Sequence, residues 1–451
     1  MNEKIKVELQ NYCKLYCVYI RNKVVVLNQL IQKTELDNGV TVITDYMPEA
    51  YSATVGAWIP RGSRHEKESF NGLSHFYEHL VFKGTENRSS LEIVRELEDL
   101  GGSLDAYTTR QETGFYAQVS KEDVFTALEV VGDLLMNPLF EESELEKERK
   151  VIIEEIKSYD DIAEERVGDL FNELHFEGCG LAMPIAGTLK SVKSITLENL
   201  RDFRRQVIED LPIYVCAAGN VKHQEMVDQC AIIFQKKKKG NISFPLNYKA
   251  NRGLKVINKQ ELQQSSLYLG TSFLKAPLPK EFRFAFSIFN VSMGSGMSSR
   301  LFQKIREENG LAYSIFSMAD SYKDCYSWGV SLATAPKKLE KATGLIQKEI
   351  DLFLKEGFFP GELERTKQNI IGAMKINADS TDKRTLRLAE QQLHLGHYCS
   401  MQDIEDGINS VSKEQVVEMT RLVLKNDFWA AAVVQPASAK TPTVLNEIRF
   451  H

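Results

Sequence analysis

The chain switches between two hydrophobic periods, and the switches mark its elements. Residues 34–44 (TELDNGVTVIT) read as strand, Asp37-Asn38-Gly39 turn, strand, a hairpin signal. Residues 53–59 alternate as a further strand. Residues 73–82 place Leu73, Phe76, Leu80 and Val81 at helical spacing, and residues 90–100 form a second helix stopped by Gly101-Gly102. Residues 105–119 predict two strands joined near Gln111, and residues 121–136 predict an amphipathic helix ended by Pro138. Between Pro138 and Gly168 there is neither Gly nor Pro, so one long helix, or two in close succession, is expected. A buried strand at 213–218 and a helix at 223–234 follow.

The stretch 236–253 combines Lys236, Lys237, Lys238 and Lys239 with Gly, Pro and Asn, and reads as a solvated linker. Beyond it the order repeats. Strands are expected at 254–257 and 266–269, helices at 282–291 and 298–308, and a strand pair at 312–319 and 326–333. Helices are expected at 337–356, from Pro360 to about 379, and at 381–395. Strand pairs followed by helix pairs imply an α+β fold of two homologous halves, each a mostly antiparallel sheet with helices packed on one face. The expected division is an N-terminal extension at 1–33, domains at 34–235 and 254–451, and a linker at 236–253.

Composition narrows the class. With 43% hydrophobic and 26% charged residues, the 451-residue chain can bury real cores, and a disordered or collagenous reading is excluded. The net charge of −6 gives no case for nucleic acid, and no run of about 18 apolar residues exists to span a membrane. The seven Cys are scattered without a CxxC pair, which argues against a disulfide framework or zinc ribbon and for a reducing compartment. Residues 1–33 have no clear period and lack the marks of a signal peptide, so a poorly ordered extension is expected.

The chemistry concentrates in His75-Phe76-Tyr77-Glu78-His79. On a helix, His75 and His79 share a face, and two imidazoles stacked that way can bind one Zn²⁺. Glu78 lies beside that face, within reach of a water to be deprotonated. A solvated His/Glu face is the bland alternative; the H-x-x-E-H spacing favours the metal. A third ligand must come from elsewhere. In residues 148–156 (ERKVIIEEI), Glu148 and Glu155 are two turns apart and share a face, whereas Glu154 points about 100° away from Glu155. By the residues alone, any of the three can serve.

These segments resemble the pitrilysin and mitochondrial-processing-peptidase family in its half-length form. The resemblance rests on 72–85 (GLSHFYEHLVFKGT), 99–110 (DLGGSLDAYTTR), 148–156, 184–188 (PIAGT) and 294–317 (GSGMSSRLFQKIREENGLAYSIFS), in family order and spacing. It implies a zinc endopeptidase whose metal is held by His75, His79 and Glu155, with Glu78 as general base and Glu148 orienting a ligand His. It implies that Arg306 and Tyr313, from the second half, complete the site, and that Asp105, Ala106, Tyr107 and Thr108 lie on an edge strand receiving extended substrate. The family commonly has Asn where this chain has Asp105, and Leu where it has Tyr77. By their offsets from Glu155, Glu165 and Asp169 correspond to acids that bind a substrate Arg in processing peptidases.

The expected catalytic unit is 34–235, with 254–451 completing a substrate cavity between the halves. The expected partners are a peptide or unfolded, presequence-like segment and a second subunit, identical or related. Cytoplasmic placement is expected, with a mitochondrial or related organelle matrix as the alternative. The rival reading, a non-catalytic peptide-binding or scaffold subunit of the same family, predicts a degraded motif. All four metal and base positions are intact. The remaining histidines, His394 and His397 included, have no acid or Cys cluster nearby in sequence and read as surface or interface residues.

Overall fold

The computed structural model describes residues 24–26, 30–240, 244, 246–276, 278–279, 281–425 and 427–446. The first half begins with strands β1 (Val24–Val26), β2 (Ile31–Glu35), β3 (Val40–Tyr46) and β4 (Ser52–Ile59). Helices α1 (Leu73–Val81) and α2 (Ser90–Glu98) precede the hairpin of β5 (Ser103–Thr108) and β6 (Thr113–Ser120). Helices α3 (Val124–Met136), α4 (Glu142–Asp161), α5 (Ala163–His175), α6 (Leu189–Ser194) and α7 (Leu197–Glu209) come next, then β7 (Ile213–Gly219) and α8 (His223–Ile233). The second half runs β8 (Gly253–Lys259), β9 (Ser265–Leu274), α9 (Phe282–Gly294), β10 (Ala312–Ser321) and β11 (Cys325–Thr334). It ends with α10 (Leu339–Glu356), α11 (Glu362–Asn377), α12 (Thr381–Leu395), α13 (Met401–Ser410), α14 (Lys413–Leu424) and β12 (Ala430–Pro436).

Among the described residues these strands form two sheets, ordered β1-β2-β3-β7-β4-β6-β5 and β10-β11-β9-β12-β8. Read from opposite ends, β3-β7-β4-β6-β5 and β8-β12-β9-β11-β10 are the same arrangement. Each has one parallel pair at the same place, β3 with β7 and β8 with β12, and is otherwise antiparallel. The repeat expected from element order is therefore present at the level of topology.

Apart from α5 and α12, the helices of each half lie on one face of their own sheet and bury a separate core. The opposite face is covered by a helix from the other half. Val167, Leu170 and Phe171 of α5 pack on Tyr268, Ala430, Ala432 and Val434 of the second sheet. Leu388 and Ala389 of α12 pack on Ile43, Trp58 and Cys216 of the first. This exchange explains why β11 and β12 are buried on both side-chain faces.

The fold starts earlier than Thr34. β2 begins at Ile31, and β1 pairs with it from Val24. Ile31 is buried in the same cluster as Leu388 and Ala389, a distant partner that local periodicity cannot announce. The rest of the expected extension, 1–23 and 27–29, lies outside the described residues. In the polylysine run Lys236, Lys238 and Lys239 are exposed, Lys238 and Lys239 pairing with Glu209 and Glu35 at 2.6 and 3.0 Å, and Lys237 is buried. Cys179, Cys216, Cys230, Cys325 and Cys399 are free thiols. No described helix is long and apolar enough to cross a membrane.

A buried ion pair ties the halves together. Arg64 donates two bonds to Asp324, at 2.9 and 2.8 Å, and a third to Gln111. Asp324→Ala leaves a buried guanidinium without its anion and is expected to cost about 3–5 kcal/mol. Urea denaturation measures this, and a loss below about 1 kcal/mol would show that the pair does not hold the interface.

Candidate metal centre

Glu66 sets the start of α1. Its carboxylate accepts from the backbone N–H groups of Gly72 (2.7 Å) and Ser74 (2.6 Å) and from Asn71 Nδ2 (3.0 Å), so an anion satisfies amides of the first helical turn. The entry is tight. Gly72 (φ +93°) and Gly187 (φ +80°) let the 184–188 loop lie backbone to backbone against it. A Cβ at Gly72 would sit 2.6 Å from the Ala186 oxygen, and one at Gly187 would sit 2.4 Å from the Asn71 oxygen. The PIAGT segment thus props the helix that carries the histidines.

His75 and His79, one turn apart, bring their ring centroids to 4.6 Å, and Glu155 of α4 faces both. One donor atom from each of the three lies within 4.8 Å of the others. His75 Nε2 is 3.7 Å from Glu155 Oε1, and His79 Nε2 is 3.6 Å from Glu155 Oε2. These gaps exceed hydrogen-bond length. They are close to the separation of about 3.3–3.5 Å between ligands that each lie about 2.0–2.1 Å from one tetrahedral Zn²⁺. The donor set therefore fits such an ion.

His79 Nδ1 lies 3.1 Å from Glu148 Oε2, and a carboxylate only accepts, so Nδ1 carries a hydrogen and Nε2 is the nitrogen turned to Glu155. Lys83 Nζ holds the other Glu148 oxygen at 2.8 Å. Burial, with His79 beside it, depresses His75 to about 3. His75 Nδ1 is buried and has no hydrogen-bond partner among the described residues. The structure separates the three glutamates of α4. Glu154 is exposed and pairs with Lys157, Glu148 is buried on His79, and Glu155 faces both rings. Burial raises the Glu155 carboxyl, and His79 opposes that.

Glu78 lines the same cavity, of about 580 Å³, with His75, Glu155, Tyr107 and Thr108. Burial raises its carboxyl; a hydrogen bond from Thr108 Oγ1 and the neighbouring His79 hold it down, and Glu155 pushes it up again. A larger cleft of about 1030 Å³ opens on the far side of the 184–188 loop, but contains none of the three donors.

β5 is the outermost strand of its sheet and pairs only with β6, so its other edge is free among the described residues. Leu104 and Ala106 pack towards the core under α1. Asp105 and Tyr107 alternate to the other face, where Asp105 is exposed and the Tyr107 hydroxyl accepts from Trp58 Nε1 at 3.0 Å.

Two expectations change. Glu165 and Asp169 both line the cavity, but Asp169 is already engaged by Arg110, at 2.9 Å. Partly buried beside Asp169, Arg110 supplies the counter-charge internally, so the two acids are not an open pair for a guanidinium. Arg306 and Tyr313 meet each other, with the guanidinium 5.0 Å from the ring centroid, yet neither lines the cavity. Arg306 pairs with Glu307 at 3.6 Å, and Tyr313 is 78% exposed. The segment Phe302–Glu307 is hydrogen-bonded in π rather than α register. From the second half, Met318 reaches the cavity instead.

Thr108 was read only as part of the edge strand, not as a partner of Glu78, and Arg110 escaped the sequence reading as a site residue; nothing local announced the Arg110–Asp169 pair.

Comparison with known proteins settles the lineage. Residues 41–189 match the model described as insulinase (peptidase family M16), and residues 194–370 match the peptidase M16 inactive domain. The chain belongs to peptidase family M16. Among M16 relatives, it is 33% identical over 402 residues to an uncharacterized zinc protease of Streptomyces coelicolor, covering 87% of each chain. It is 31% identical to the uncharacterized zinc protease YmxG of Bacillus subtilis, covering 90% of this chain and 99% of that one. Solved structures share the fold. A protease from Helicobacter pylori superposes with a TM-score of 0.83 at 19% identity, over 93% of this chain and all of the other. A chain of complex III2 from Candida albicans gives 0.72 at 19% identity, over 89% and 95%. The second M16 match agrees with the absence of an H-x-x-E-H from the second half.

Proposed function

We propose that this M16 protein is a zinc-dependent endopeptidase that cleaves extended or unfolded peptide segments. The observation that carries the reading is the convergence of His75, His79 and Glu155 donor atoms, with His75, Glu155 and Glu78 lining one cavity beside a free strand edge. The relatives named zinc proteases support it. In this reading His75 Nε2, His79 Nε2 and Glu155 hold the ion, and Glu148 orients His79 through Nδ1–H. Zinc supplies Lewis acidity, polarising a peptide carbonyl and lowering the pKa of water. Glu78 takes the proton of the attacking water and delivers it to the leaving amine. The substrate backbone adds to β5 as a further strand, which presents its carbonyl in an extended conformation.

A non-catalytic scaffold role is less well supported, because no member of the metal and base set is missing or displaced. The reducing compartment we propose, the cytoplasm first, suits the buried free thiols. A copy of this chain or a related subunit closes the substrate chamber. Zinc analysis and cleavage of an unfolded peptide, before and after chelation, test the reading. A protein that binds no zinc, or whose cleavage survives complete zinc removal, would overturn it.

Substrate preference falls to Glu165. Among the described residues no cation pairs with it, whereas Asp169 is taken by Arg110. Glu165→Gln is expected to raise KM about tenfold for a peptide with Arg near the cleaved bond, and to leave the matched citrulline peptide unchanged. An Arg preference that survives in Glu165→Gln would remove the residue from specificity.

A further inference from the structure

We propose that Thr108 is a positioning residue that holds the Glu78 carboxylate in register with a peptide bound along β5. The inference rests on the endopeptidase reading above and adds a link between substrate docking and the base. Glu78 is a flexible side chain, and among the described residues one side-chain hydrogen bond holds it, from Thr108 Oγ1 to Oε2. The carboxylate only accepts, so the hydroxyl donates and leaves Oε1 free for a water proton. A charge-assisted bond of this kind is strong enough to offset the rotamer freedom of a glutamate.

Thr108 is placed to do this by the strand itself. It is the last residue of β5, pairs across to Thr113, and continues the Leu104–Ala106 alternation that faces α1. The backbone of the same strand is the free edge. Any peptide that pairs with β5 is therefore referenced to the strand that also holds the base. A misplacement of about 1 Å between reacting groups can cost about a hundredfold in rate, so this shared reference has catalytic value.

The test compares Thr108→Val, which keeps shape and loses the donor, with Thr108→Ser, which keeps the donor. Zinc affinity, kcat, KM and the Glu78 rotamer in high-resolution crystal structures are read for each. Thr108→Val should bind zinc as wild type does, hold KM within about twofold and lose about tenfold or more in kcat. Thr108→Ser should recover most of that loss. Glu78→Gln and Glu78→Gln/Thr108→Val should show the same residual rate, because the second change acts through a base already gone. Crystals should show one Glu78 rotamer in wild type and Thr108→Ser, and several in Thr108→Val. Wild-type kcat or an unchanged single rotamer in Thr108→Val overturns the proposal while leaving the endopeptidase reading intact. So does loss of zinc in Thr108→Val, which would mark a structural role. A wild type that binds zinc but cleaves no peptide overturns both.

Discussion

Glu78→Gln is expected to retain zinc at one ion per chain and to lose about 10²–10⁴-fold in kcat on an unfolded peptide. The amide is nearly isosteric with the carboxylate, so the Thr108 hydroxyl keeps an acceptor and α1 keeps its packing. What disappears is the ability to take a proton from water and pass it to the amine. Burial already lifts the Glu78 carboxyl above its usual range, which makes the carboxylate a stronger base. KM should change little, because the substrate backbone pairs with β5 rather than with Glu78. Steady-state kinetics with parallel zinc analysis separates the two quantities. Wild-type turnover in a zinc-loaded Glu78→Gln protein would remove Glu78 from the mechanism.

The second large effect concerns the metal, and it discriminates among the glutamates of α4. Glu155→Ala removes one of three converging donors and is expected to weaken zinc binding by more than the loss of an orienting group. Glu148→Ala, which removes the acceptor for His79 Nδ1, should cost about 10–100-fold in affinity. Glu154→Ala should change nothing, since that carboxylate is exposed and bonded to Lys157. Competition with a chromophoric chelator gives the three affinities. The order Glu155, Glu148, Glu154 is the expected result. Zinc loss in Glu154→Ala, or full affinity in Glu155→Ala, would contradict the arrangement.

Much of this centre was legible before any coordinates. His75 and His79 share a face because helical spacing requires it, and the apolar positions around them predicted that helix. The two-half organisation followed from element order, and the β5–β6 hairpin from alternation. The choice among Glu148, Glu154 and Glu155 was not legible from periodicity, because it depends on how α4 rotates against α1; family resemblance pointed to Glu155, a donor atom of which lies within 4.8 Å of one from each His. What failed did so for long-range reasons. The exchange of α5 and α12 between sheets is set by packing between distant segments. Asp169 looked free because its partner Arg110 lies 59 residues away. Arg306 was read on an α-helix, whereas Phe302–Glu307 is in π register. Some omissions had local signals that went unused: α7, α13 and α14 begin at Thr196–Asn199, Ser400–Asp403 and Ser412–Gln415 capping boxes.

Anomalous X-ray scattering at the zinc edge tests for one zinc between α1 and α4. A single strong peak per chain is expected, about 2.0–2.2 Å from His75 Nε2, His79 Nε2 and a Glu155 oxygen. That peak should vanish in His75→Ala/His79→Ala crystals. A protein purified with zinc that shows no peak there, or a peak held by other residues, would contradict the account.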